Sequence, residues 1–160
     1  MTILGIDPGT AIIGYGLIEK DNRNQKLKSL AYGCIETSSN IPTAERLKVL
    51  AEKLSSLIKK HKPDIAAVED IFFFKNLKTA IKVSQARGVI LLTISQSGLP
   101  LYEYTPLQIK QAVACYGRAE KIQVQKMVKT LLGLNEVPKP DDAADALAVA
   151  ICCAHSIKSC

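Results

Sequence analysis

The segment Ile3-Leu4-Gly5-Ile6-Asp7-Pro8-Gly9-Thr10 constrains this chain more than any other. An apolar strand begins almost at the first residue and ends on a carboxylate, and Pro8-Gly9 then turn the backbone away. Asp7 is left at a strand mouth, where losing water costs free energy unless something pairs with the charge. A metal ion is one such partner. Three more acids sit at comparable places: Glu69 closes the apolar run 65–68, and Asp142 and Asp145 stand at the start of the last helix. Four carboxylates from three distant segments form a donor set for hard divalent cations. Each also has an ordinary explanation. Asp-Pro-Gly is a common turn, Glu69-Asp70 reads as a solvated strand end, and a helix N-terminus favours Asp141 and Asp142 whatever they do. Capping explains Asp145 less well, because it lies among Ala144, Ala146 and Leu147 in an otherwise apolar helix.

The remaining pattern supplies a scaffold. Strands are expected over 2–7, 12–19 and 27–36, an antiparallel meander with a turn at Asp21-Asn22-Arg23-Asn24. Gly14 and Gly16 allow another backbone to approach the second strand closely. Thr43 is a candidate cap for a helix with the stripe Leu47, Leu50, Leu54, Leu57 and Ile58. A short buried strand over 65–68 leads to Glu69, a helix follows over 76–97, and a further strand covers 101–104. Thr105-Pro106 opens a helix to about 116, ended by Gly117. Another starts near 119, and the last spans 141–157. The order implies an α/β fold, a mixed sheet covered by helices.

The helix over 76–97 carries two apolar stripes. Leu77, Ala80, Ile81, Gly88, Leu91 and Leu92 suit packing on the sheet, and Val83, Ala86, Ile90 and Ile94 suit a second copy of the chain.

At 160 residues, with 48% hydrophobic and 22% charged, the chain is expected to form one folded domain. Its net charge of +6 favours polyanions only weakly. Five cysteines without a Cys-x-x-Cys spacing read as reduced thiols, and no signal peptide is recognisable, which points to the cytoplasm. The apolar run 146–154 is too short to span a bilayer, so no membrane role is expected.

Beside Glu69 lie Phe72, Phe73 and Phe74, the three phenylalanines of the chain. Alternate residues of a strand face opposite sides, so a buried strand rarely carries three in a row. One exposed ring near the acids suits stacking on an unpaired base, while Lys75 and Lys78 add positive charge. Lys110 and Lys121 are solvated lysines by default. They gain meaning if their helix starts face the acids, where they would stabilise charge on a phosphate.

The chain resembles the RuvC family of Holliday junction resolvases. The resemblance rests on GIDPGT at 5–10, VED at 68–70 followed by FFFKN, QARGV at 85–89, YTPLQIKQAV at 104–113, AEKIQVQKMV at 119–128 and DDAADALAVA at 141–150. It implies a ribonuclease H-like fold with a five-stranded mixed sheet, Mg²⁺ dependence with two ions per site, and a homodimer that nicks four-way DNA junctions in pairs. By resemblance Asp7, Glu69, Asp142 and Asp145 are the metal ligands, Lys110 and Lys121 the catalytic lysines, and Phe72 the base-contacting aromatic. Further DNA contacts are expected from Phe73, Phe74, Lys75, Lys78, Arg87 and Arg118. The family also implies association with the RuvA–RuvB branch-migration machinery. The triple phenylalanine departs from the usual single aromatic.

Three other readings compete. GIDPGT is similar to the phosphate loop of actin-like ATPases, which need two such domains. A YqgF-type nuclease shares the opening motif but not the QARG, lysine and DDAADAL segments. A non-catalytic junction-binding module would present the same basic surface.

Overall fold

Turn residues divide the first 36 residues into a three-stranded meander. β1 (Thr2–Asp7), β2 (Ile12–Lys20) and β3 (Leu27–Glu36) pair antiparallel in chain order, with Gly5 opposite Gly16 and Asp7 opposite Gly14. The chain is seen in a computed structural model that describes residues 1–70 and 77–157, the side chains at 77 and 78 excepted. β1 is apolar on both faces because it lies at the sheet centre, whereas β3 alternates because it forms an edge. β4 (Ile65–Glu69) joins β1 in parallel, and β5 (Leu101–Tyr104) joins β4 in parallel. The strand order is β3-β2-β1-β4-β5, the mixed five-stranded sheet expected of the ribonuclease H-like fold.

Helices cover both faces. α1 (Thr43–His61) and α2 (Leu77–Gln96) carry the crossovers into β4 and β5. They pack Leu50, Leu54, Ile58, Ala86, Ile90 and Ile94 against Leu4, Ile6, Ala66 and Val68. α3 (Pro106–Ala114), α4 (Lys121–Leu131) and α5 (Asp141–Ser156) cover the other face. α5 is buried from Ala143 to Ala154 except at Asp145. At its far end the buried Lys20 places Nζ 2.6 Å from the Ala154 carbonyl oxygen and 3.1 Å from that of Ile157, a cation where the helix dipole is negative.

Several local expectations are corrected. Thr43 is the first helical residue of α1 and Pro42 precedes it as an N-cap with no side-chain cap. α3 stops at Ala114, because Cys115 turns left-handed (φ 54°) and donates its N–H to the Gln111 carbonyl. Gly117 therefore does not end that helix. α4 begins at Lys121, after Glu120 and Gln123 form a reciprocal capping box.

The stripes of α2 are largely the reverse of those expected, although Leu91 packs partly against the core. Val83, Ala86, Ile90 and Ile94 are buried against the sheet, while Ile81 and Leu92 are 60% and 57% exposed and Gly88 faces open space. Branched aliphatics fill the layer above β1 and β4. A glycine at 88 offers no side chain to that layer. Among the described residues Cys34, Cys115, Cys152 and Cys153 are free thiols. Among the described residues no helix is long and apolar enough to cross a membrane.

Candidate active site

Strand parity sets this site. Along β1, Ile3 and Gly5 meet the α5 layer while Leu4 and Ile6 meet α1 and α2. Asp7 continues the α5 side. β4 runs beside β1 with Ile6 opposite Val68, and its Ile65 and Ala67 also join the α5 layer. Glu69 keeps that parity and stands beside Asp7, close enough for their carboxyls to share a hydrogen bond. Asp70 falls to the other side, where it pairs with Arg87 at 3.0 Å. The two neighbouring acids at 69 and 70 are thus separated by one step of the pleat.

α5 brings the other two acids to the strand mouths, because the strands beneath it are bare. A Cβ at Gly5 would run into the Ala146 carbonyl and the Ala150 amide, and one at Gly14 into the Asp142 carbonyl. The helix backbone therefore rests almost directly on β1 and β2. Asp142 and Asp145 then lie within electrostatic range of Asp7. Asp141 instead faces solvent and sits 3.7 Å from the Lys121 ammonium.

The electrostatics follow from that crowding. Burial, then the charges of Glu69 and Asp145, push the Asp7 carboxyl far above the usual carboxylate range. Burial also raises Glu69, and the hydrogen bond from Asp7 opposes that rise. Burial raises Asp145 too, against the pull of Lys121. Burial would lower Lys121, but its 2.8 Å contact with Asp145 outweighs this and keeps the ammonium charged.

A cleft of about 270 Å³ opens beside these acids, lined by Glu69, Asp145, Lys110, Lys121, Pro106 and Ile109. Lys110 comes from α3 and Lys121 from the first residue of α4, and both act on Glu69 through space. As the side chains stand, no three His, Cys, Asp or Glu among the described residues converge on one point. Lys121 pairs with Asp145 at 2.8 Å, and Asp7 stands within hydrogen-bond reach of Glu69.

Other expected residues lie elsewhere. Phe72, Phe73, Phe74 and Lys75 fall outside the described residues, as does the side chain of Lys78 on α2. Arg118 is exposed in the turn between α3 and α4. Arg87, expected to contact DNA, is engaged inside the protein by Asp70 and Glu103. Arg46 was not among the expected residues. It reaches from α1 to the Thr10 carbonyl at 2.5 Å and to the Thr37 hydroxyl at 3.3 Å, pinning the turn that follows Asp7.

This architecture matches known proteins over nearly its whole length. The family model described as crossover junction endodeoxyribonuclease RuvC matches residues 3–153. The enzyme of that name from Desulfitobacterium hafniense is 59% identical over 157 residues, 98% of this chain and 94% of the relative. That from Halothermothrix orenii is 58% identical over 158 residues, 99% and 94%. The Thermus thermophilus RuvC structure superposes with a TM-score of 0.89 at 36% identity, covering 97% of this chain and 94% of that one. The same protein in complex with a Holliday junction substrate superposes with a TM-score of 0.87 at 34% identity and the same coverage. A yeast mitochondrial Holliday junction resolvase shares the fold at 13% identity, with a TM-score of 0.70. The glycine-floored sheet, the acids at its strand mouths and these matches together establish that the chain belongs to the RuvC family of crossover junction endodeoxyribonucleases.

Proposed function

We propose that this protein resolves four-way DNA junctions by paired, symmetrical nicks, through Mg²⁺-dependent hydrolysis of phosphodiester bonds. Its family membership makes it a metal-dependent crossover junction endodeoxyribonuclease. The observation that carries the chemistry is the side-by-side placement of Asp7 and Glu69 at the strand mouths, within electrostatic range of Asp145 and Asp142 and beside a cleft that also holds Lys110 and Lys121.

The donors fit a hard cation. All are carboxylates, the ligands that Mg²⁺ takes. Burial and the neighbouring acids disfavour the charge on Asp7 and raise its carboxyl, and a divalent ion reverses that balance. Asp7, Glu69, Asp142 and Asp145 would hold two Mg²⁺ ions. When bound, they supply Lewis acidity toward the scissile phosphate and the attacking water. The protein's own groups do the rest. Strand ends and the α5 backbone fix the carboxylates, and Lys110 and Lys121 set positive charge on the cleft wall, suited to a phosphate that gains charge during displacement.

The substrate reading rests on the Thermus thermophilus relative, whose structure holds a Holliday junction. Phe72, by family resemblance, stacks on an unpaired base, with Lys75, Lys78 and Arg118 adding to a basic surface. Residues 1–160 act as one nuclease domain, in the cytoplasm. The outward stripe Ile81, Gly88 and Leu92 on α2 supports a two-fold pair, which would present one acidic cluster to each of two opposite strands. Association with RuvA–RuvB follows from the family alone.

One assay tests this reading. An end-labelled synthetic four-way junction is incubated with the protein in Mg²⁺ or in chelator. Two nicks at symmetry-related positions, in Mg²⁺ only, are the expected result. Binding without cleavage in Mg²⁺, or cleavage indifferent to chelator, would overturn it.

A further inference from the structure

Among the described residues a second charged cluster stands at the strand ends, outside the acidic cleft. Arg87 of α2 places Nη2 3.0 Å from Asp70 Oδ1 and also pairs it with Glu103. Its Nε lies 3.4 Å from the Glu69 carbonyl oxygen. The Arg87 side chain is only 18% exposed. Asp70 follows β4, and its N–H donates to the Tyr104 carbonyl at 2.8 Å, so the β4–β5 ladder continues one step past Glu69. The guanidinium thus joins three consecutive structures: the backbone of Glu69, the residue after it, and the neighbouring strand.

We propose that Arg87 is a positioning residue for Glu69, fixing the end of β4 from helix α2 and so setting how tightly the acidic cluster binds its divalent ion, without contacting DNA. This rests on the metal-dependent reading of the cleft. Among the described residues Asp70 and Glu103 both pair with the Arg87 guanidinium, which occupies its donors within the protein. The planar fork of arginine can meet separate acceptors at fixed angles, and an ammonium cannot. Glu69 itself presents its carboxyl to Asp7 on one face of the sheet, while its backbone is held from the other face.

The direction of the change separates positioning from charge. Removing a nearby cation should tighten binding of a divalent ion if Arg87 acts only through its charge. Losing the clamp should weaken it. Arg87→Ala and Arg87→Lys are compared with the unaltered protein in three measurements. These are calorimetric titration with Mn²⁺ without DNA, the Mg²⁺ midpoint of junction cleavage, and junction affinity in chelator across a salt series.

Both variants are expected to bind Mn²⁺ about 10-fold more weakly or worse, the range seen when partners behind a metal ligand are lost. Cleavage should recover at high Mg²⁺, and junction affinity and its salt slope should not change. Tighter Mn²⁺ binding by Arg87→Ala would overturn the proposal. So would an Arg87→Lys protein of unaltered Mn²⁺ affinity, and this variant decides alone if the alanine protein does not fold. A shallower salt slope with weaker junction binding would make Arg87 a DNA contact instead. Failure of the unaltered protein to bind Mn²⁺ or cleave would sink the reading of the cleft itself, which is a different result.

Discussion

The two faces of the sheet are built from different amino acids. Toward α1 and α2 the layer is made of large aliphatics, with Leu4, Ile6, Leu50, Leu54, Ile90 and Ile94 all essentially inaccessible. Toward the N-terminal half of α5 it is made of almost nothing: Gly5 and Gly14 lie beneath Ala146, Ala150 and the Asp142 backbone. The first face buries apolar area, at roughly 25 cal/mol per Å². The second gives up that area for proximity. Parity sends Asp7 and Glu69 to the α5 side, so Asp142 and Asp145 reach them only if the helix lies on the strands. The first face is packed with aliphatics throughout, while the second buries its own core around Leu147 and Ile151 and is bare where it assembles the carboxylates.

The largest expected effect falls on the assembled face. Asp7→Asn should abolish junction cleavage in Mg²⁺ and leave junction binding intact, because phosphate contacts come from lysine and arginine. A gel assay that separates bound from nicked junction checks both. The same substitution should raise the melting temperature of the metal-free protein. Asp7 titrates higher in the folded protein than unfolded, so the folded state binds more protons over that interval and stability falls as pH rises from the ordinary carboxylate value. Asparagine carries no such proton, and the slope should flatten. Normal nicking by this variant would mean that α5 approaches the strands for some reason other than metal binding.

Gly14→Ala should come next. The new Cβ meets the Asp142 carbonyl, a backbone atom with no rotamer to yield. Overpacking of this kind costs about 1–3 kcal/mol. The helix start must shift, so cleavage should fall further than the loss of folded protein explains. Cleavage per folded molecule, with the folded fraction taken from a denaturant titration, is the measurement.

Leu54→Ala tests the opposite face. It should cost about 2–5 kcal/mol of stability and leave cleavage per folded molecule unchanged. If it impaired cleavage as Gly14→Ala does, the division of labour between the faces would fail.

The same division explains what was legible in the sequence. Strands 2–7, 27–36 and 101–104 fall where turn residues and apolar runs place them. Asp7 and Glu69 were readable because each ends an apolar run, and strand position is a local signal. The close approach of α5 was readable from small residues in both partners. What could not be read depends on distant partners. Lys20 donates to a carbonyl 134 residues away, Arg46 to one 36 away, and Arg87 to one 18 away. Backbone carbonyls carry no residue type, so such pairs leave no local pattern. The end of α3 was missed because Cys115 takes the left-handed conformation that Gly117 was expected to supply. The faces of α2 were exchanged because both stripes are apolar, and periodicity gives a face without saying what it meets.

That last ambiguity sets two nearby positions of α2 against each other, one buried and one exposed. Ile90 is inaccessible and packed above β1 and β4, so Ile90→Glu buries an unpaired charge and should unfold the protein rather than release a folded monomer. Leu92 is exposed one helical turn beyond Gly88, so Leu92→Glu should change monomer stability by no more than about 0.5 kcal/mol. If the outward stripe pairs with a second copy, the same charge would sit across a two-fold axis from itself and the repulsion would count twice. Light scattering should then report a folded monomer for Leu92→Glu and a dimer for the unaltered protein at micromolar concentration, with single nicks replacing coordinated pairs. A Leu92→Glu protein that remains dimeric and nicks both strands together would move the interface away from α2, while leaving the contrast between the two sheet faces untouched.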